Sequence, residues 1–215
     1  MTNITLSPTK QEVPLPPSPT LPFTVKADAK QYIKLLGPAR IILALGVSVV
    51  FWVRLGPLGW LISVLAIAVL ITLIIFLLTR RSITVNNEGV HYKTSFGFTK
   101  SATFNEINAV EIFDNYTDPG FGVMPRIILS KKSGKALFSV TGIFWPYEGL
   151  TAILSALKKN KVALNFYTNH IQSAQVAKAF PKLVPFYEGH PYWVAAISVV
   201  VIFAAIYAGV VIFVM

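Results

Sequence analysis

Between Leu55 and Thr79 the chain carries no charged side chain, and the run stops abruptly at Arg80 and Arg81. A helix rises about 1.5 Å per residue, so roughly 20 apolar residues cross the ~30 Å hydrocarbon layer of a bilayer. Residues 60–79 supply them, which predicts a membrane-spanning helix. After the two arginines the period changes, apolar and polar residues alternating as they do in strands. A polar module is therefore expected directly behind a membrane-buried helix.

A second span is expected over residues 36–55, where Ile41 to Val53 lies between Arg40 and Arg54 and both arginines reach towards the interfaces. The turn Leu55-Gly56-Pro57-Leu58-Gly59 would join the two spans as a helical hairpin over residues 32–79. A third is expected over 191–215, opened by Pro191, anchored by Tyr192 and Trp193, and offering small-residue pairs such as Ala204 and Ala208 for helix packing, including pairing of copies. Lys26, Lys30, Lys34 and Arg40 precede the first span, Arg54 alone lies between the first two, and Arg80 and Arg81 follow the second. Because basic residues favour the cytoplasmic side, the N-terminus and the module are expected in the cytoplasm and the C-terminus at the outer face of a multi-pass cell-membrane protein. Composition fits this: 54% of the 215 residues are hydrophobic and 13% charged, well on the membrane side of an average soluble domain.

The formal net charge of +10 suits an anionic membrane surface and the basic flanks that orient spans. No nucleic-acid motif accompanies it, so membrane lipid and not nucleic acid is the expected partner. The absence of cysteine excludes disulfides, thiolate zinc sites and cysteine nucleophiles.

Residues 1–31 open with Pro8, Pro14, Pro16, Pro17, Pro19 and Pro22, which withhold backbone donors, so this tail is expected to be extended or disordered. It lacks the basic start and apolar core of a signal peptide. Over residues 23–40 the lysines at helical spacing predict a basic approach helix at headgroup level.

The module is expected over 82–161. Strand patterns cover 83–85, 90–94, 98–104, 109–114, 126–130 and 136–141, with turn chemistry at Asn86-Asn87-Glu88-Gly89 and at Lys131-Lys132-Ser133-Gly134-Lys135. A helix over 146–160 places Leu150, Ile153, Leu154 and Leu157 at i, i+3, i+4 and i+7. Residues 162–190 read as a linker with a short interfacial helix over 168–180, ended by Pro181. The expected fold is thus α plus β: three transmembrane helices and a strongly bent antiparallel sheet plugged by a helix.

The stretch RRSITVNNEGVHYKTSFGFTKSATFNEINAVEIF, a span just before it and the closing helix PYEGLTAILSALKKN resemble the bacterial pleckstrin-homology-like domains found behind paired transmembrane helices in envelope proteins. The resemblance covers roughly residues 60–161 and rests on structural positions, not catalytic ones. It implies a partly open barrel plus helix that binds protein, peptide or lipid. The third span and residues 162–190 depart from the simplest two-span members.

No catalytic constellation emerges. His91, His170 and His190 lie in separate segments without metal-ligand spacing, and Glu106, Glu111 and Asp114 form only a loose group. Asp114 and Asp118 lack the remaining ligands of a calcium loop, and Gly120-Phe121-Gly122 lacks the setting of a dinucleotide loop. No catalytic residue, cofactor or metal is expected. Two surfaces remain as candidates. Arg80, Arg81, Lys131, Lys132 and Lys135 would meet anionic headgroups if the lysine turn faces the bilayer. Tyr116, Phe121, Val123 and Met124, in the 115–125 loop, would meet a protein partner, whose strand would add to the sheet edge, or the last three would meet the protein's own barrel. The functions that follow are a protein-interaction adaptor in envelope assembly or transport, a sensor of anionic lipid, or an accessory transporter subunit.

Overall fold

In the computed structural model, which describes residues 8–9, 14–118 and 122–184, strand β1 (Phe23–Lys26) leads into helix α1 (Lys30–Thr79), 50 residues long. Straight, such a helix would measure ~75 Å. Its ends are far closer than that, because β1 pairs antiparallel with β2 (Ser82–Val85), Lys26 opposite Ser82, and the Ala27 amide donates to the Arg81 carbonyl at 3.0 Å. Counting Cα steps of about 3.8 Å from that bond back to the helix, Lys30 and Thr79 lie within roughly 26 Å of each other. The helix therefore folds back on itself.

The reversal falls at Gly56, whose φ of +69° is the left-handed conformation that ends a helical turn, and Pro57 is suited to the first position of the next. Trp52 and Trp60, each four residues from Gly56, bring their ring centroids to 5.7 Å. On a straight helix their Cα atoms would stand ~12 Å apart. One segment of α1, Gly56–Thr79, is long and apolar enough to cross a membrane, with a mean hydropathy of 3.3, and its Leu61, Leu65, Val69 and Phe76 are exposed. Among the described residues it is the one segment that qualifies, and it takes in the expected span over 60–79. The third expected span, 191–215, lies outside the described residues.

Two expectations about the N-terminal region need correction. Phe23–Lys26 is a strand and not the start of a basic helix; Val25 is buried, and α1 begins at Lys30, whose amide donates to Asp28 Oδ1 at 2.8 Å. Nor is the Pro-rich stretch detached from the module. The Thr9 amide donates to the Phe166 carbonyl at 2.7 Å, and Leu15 and Leu21 pack against the core.

The first sheet continues with β3 (Gly89–Lys93) and β4 (Thr99–Thr103), all strands antiparallel in the order β1-β2-β3-β4. A 3-10 turn, Phe104–Glu106, leads out of it, the Glu106 carboxylate accepting from the Thr103 amide at 3.0 Å. Then follow β5 (Ile107–Asp118), β6 (Gly122–Lys131), β7 (Ala136–Thr141), helix α2 (Tyr147–Lys159), β8 (Ala163–Tyr167), β9 (Ile171–Gln172) and helix α3 (Ser173–Ala179). The second sheet has the order β7-β6-β5-β8, with β9 also beside β5. Strands β8 and β9 run parallel to β5, which requires a crossover, and α2 supplies it for β8. The strands thus form two sheets and no closed barrel among the described residues, and part of the expected linker belongs to the second sheet.

One core joins both sheets and α2: Ile83, Val85 and Val90 from the first, Val110 and Leu129 from the second, and the expected leucine and isoleucine face of α2. Gly149 in α2 lies so close to Val25 that a Cβ there would collide with it, which fixes β1 against the helix. A second core, Phe113, Tyr116, Ile128, Tyr167, Ile171 and Val176 among its members, covers the other face of the second sheet. With both faces covered, Ala109–Phe113 and Arg126–Ser130 are buried without alternation.

Candidate functional site

The expected basic residues separate into different environments. Arg80 turns back along α1 and lies over the Phe76 ring at 5.1 Å, whereas Arg81 enters the module and donates from Nε to Ser95 Oγ at 2.6 Å. Lys131 Nζ donates to the Ser101 carbonyl at 2.6 Å, tying its turn to β4. Lys132 is exposed on the same turn. Lys135 joins Arg81 in a cleft of about 820 Å³.

Several stretches build this cleft, that of Arg81 behind α1 being one. The end of β3 and its turn bring Tyr92 and Thr94, the lysine turn and β7 bring Lys135 and Phe138, and the chain after α3 brings Lys182. Lys100, on β4 opposite Tyr92, completes it. Four cations, Arg81, Lys100, Lys135 and Lys182, therefore line one concavity, and among the described residues no acidic one lines it. Such an arrangement focuses positive potential and draws anions. Tyr92 forms the floor, its ring 5.4 Å from Phe138 and 6.5 Å from Trp145. Burial raises its hydroxyl pKa, against the opposing pull of the Arg81 charge, so the phenol stays neutral and adds no negative charge. The Thr94 hydroxyl oxygen is buried without a hydrogen-bond partner, at the wall of this cleft.

The position of the cleft follows from register. Ser82 lies opposite Lys93, so the end of β3 and the Thr94–Phe98 turn stand where α1 ends, and the Asn86–Gly89 turn stands at the far end. Lys100 and Lys182 are absent from the sequence-level expectation because segments distant along the chain must meet before they share a site.

The residues of the other expected surface divide between inside and outside. Tyr116 and Met124 are buried, only Val123 is exposed, and Phe121 lies outside the described residues. A β-bulge between Phe113 and Tyr116 turns Tyr116 into the second core. There its hydroxyl accepts from Arg126 Nη1 at 3.0 Å, and Arg126 Nε donates to Ser139 Oγ at 2.9 Å. The loose acidic group is dispersed as well. Glu106 caps the 3-10 turn, while Glu111 is buried and accepts from Asn165 Nδ2 at 3.0 Å and from the Tyr167 hydroxyl at 2.9 Å. His91 meets Asn86 and His170 meets Thr117; His190 lies outside the described residues. Among the described residues no group of three or more His, Asp or Glu is placed to hold a metal.

No family model, no curated protein and no solved structure matches the chain.

Proposed function

We infer that this is a non-enzymatic binding module of the bacterial pleckstrin-homology-like kind, anchored in the cell membrane by the α1 hairpin, whose basic cleft takes anionic phospholipid headgroups on the cytoplasmic side. The observation that carries this reading is the convergence of Arg81, Lys100, Lys135 and Lys182 in one cleft at the end of the sheet where α1 stops. A helix that leaves the hydrocarbon layer at Thr79 puts Arg81 at the depth of the phosphates, and each basic residue there contributes about 1 kcal/mol of attraction to an acidic leaflet. The hairpin ahead of β2 and the amphipathic α2 closing the core support the family reading. Lys26, Lys30, Arg80 and Arg81 flanking one end of the hairpin support the cytoplasmic orientation.

Native mass spectrometry of the solubilised full-length chain, titrated with anionic and zwitterionic phospholipids of the same acyl chains, tests it. Anionic lipid is expected to stay bound selectively and to be lost when Lys100, Lys135 and Lys182 are all changed to Gln. Equal retention of zwitterionic lipid overturns the reading. A second reading, a protein-interaction adaptor in envelope assembly or transport, draws on one observation: the edge of β8 accepts Thr9 in an antiparallel bridge, so that edge takes an extended segment. Crosslinking in native membranes, followed by identification of the joined peptides, distinguishes it through a stoichiometric partner on β8.

A further inference from the structure

Phe96 and Phe98 are 75% and 73% exposed, both in the short turn between β3 and β4. Nothing in the core explains them: neighbouring Ser95 is buried, while the two rings point outward. The turn itself is firmly built. The Thr94 amide donates to the Phe98 carbonyl at 2.8 Å, the Gly97 amide returns to the Thr94 carbonyl at 3.0 Å, and Gly97 takes a φ of +87° that other residues rarely adopt. It is pinned to the base of α1 through the Arg81–Ser95 hydrogen bond. Exposed Lys93 and Lys100 flank it on either side. Two outward aromatic rings, framed by lysines and held at the level where a strongly apolar helix ends, are arranged as interfacial groups are, apolar rings towards the acyl chains and cations towards the phosphates.

We propose that the Thr94–Phe98 turn is a membrane-inserting wedge: Phe96 and Phe98 enter the interfacial layer of the bilayer that α1 crosses and dock the module on it, mouth of the basic cleft towards the headgroups. The bilayer is the occupant because the turn is continuous with the exit of α1, fixed to it by Arg81 and flanked by cations that suit an acidic leaflet. The wedge rests on the membrane anchoring inferred above but not on the identity of the cleft's ligand.

The chain has no cysteine, so single nitroxide labels can be introduced cleanly. In the full-length protein reconstituted into vesicles containing anionic phospholipid, Phe96→Cys and Phe98→Cys are labelled and compared with Leu65→Cys on the apolar helix and Glu88→Cys on the opposite turn. Collision of the label with dissolved oxygen, which partitions into lipid, is measured against collision with a water-soluble nickel chelate. Labels at 96 and 98 are expected to favour oxygen, as the label at 65 does, while the label at 88 favours nickel. Nickel access at 96 and 98 equal to that at 88, with 65 still in lipid, overturns the wedge and leaves the anchoring intact. Shielding from both relaxants, which signifies a second copy or another protein over the turn, overturns it as well. Nickel access at 65 removes the anchoring and the wedge together.

Discussion

At one end of the first sheet the Asn86–Gly89 turn closes β2 onto β3 with its own side chain. The Asn86 carboxamide oxygen accepts from the amides of Glu88 and Gly89 at 3.0 and 2.8 Å, and its nitrogen meets His91 Nε2 at 3.1 Å. At the other end the Thr94–Phe98 turn closes β3 onto β4 through backbone bonds, leaves a threonine hydroxyl oxygen unpartnered and holds two phenyl rings in the open. The far turn spends its polar groups on itself, which is what a turn built for stability does. The near turn forgoes that and presents apolar surface.

The largest effect comes from breaking what the two turns share. Ile83 is fully buried in β2, opposite Val25 on one side and Tyr92 on the other. Ile83→Ala is expected to cost about 2–5 kcal/mol, read as a lower thermal midpoint of the detergent-solubilised chain, with both ends of the sheet loosened together. An unchanged midpoint would mean that the first sheet does not support the fold.

A change in the second sheet serves as the control. Tyr167→Phe removes a donor from buried Glu111 and is expected to cost about 1–3 kcal/mol while leaving both turns as they are. The Tyr167 hydroxyl is raised above its ordinary value of 10.0, first by burial and then by its hydrogen bond to Glu111 and the carboxylate's charge. The folded chain thus holds that proton more tightly than the unfolded one. This contribution is fully present below the unfolded value of about 10 and is lost as pH climbs from there towards the folded value. Thermal midpoints measured from about pH 8 to about pH 11 should fall less steeply in the variant than in the parent.

Two smaller effects sharpen the contrast between the turns. Asn86→Ala is expected to cost about 1 kcal/mol and to raise amide exchange around residues 86–90 without changing it at 94–98. Phe96→Ser combined with Phe98→Ser should leave stability in detergent within about 0.5 kcal/mol. In vesicles the same pair should expose the 94–98 amides, protected in the parent, to exchange. A double variant that unfolds in detergent would mark the rings as structural.

Much of the module was readable because its signals are local. The turn residues at 86–89 and 131–135, the alternation between them and the spacing of Leu150, Ile153, Leu154 and Leu157 all act over a few positions, and the corresponding strands and α2 are present. Strand β8 was not readable in the same way. It reaches β5 across α2 and not through a hairpin turn, so 162–190 reads as a linker until the parallel pairing is seen. Strand β1 is four residues long and sits among lysines that suggest a helix. Glu111 and Arg126 lie within strands buried on both faces, where Asn165 and Tyr167 hydrogen-bond to the carboxylate and the guanidinium donates to Ser139 and Tyr116. At Phe96-Gly97-Phe98 the alternation suggests a strand beginning at Phe98, whereas the chain is still turning. The cleft itself has no local signature, since its cations come from four separate stretches.

The pairing of Lys26 with Ser82 has a consequence for how the chain is made. The first edge strand leaves the ribosome before its neighbour exists, and the 50-residue helix must be synthesised between them. Joining ends so far apart carries a loop-closure penalty unless the insert has already brought them together. The helix must therefore bend at Gly56 before that edge can close, so the last strand to join the sheet waits on the part of the chain that shares none of its hydrogen-bond ladder.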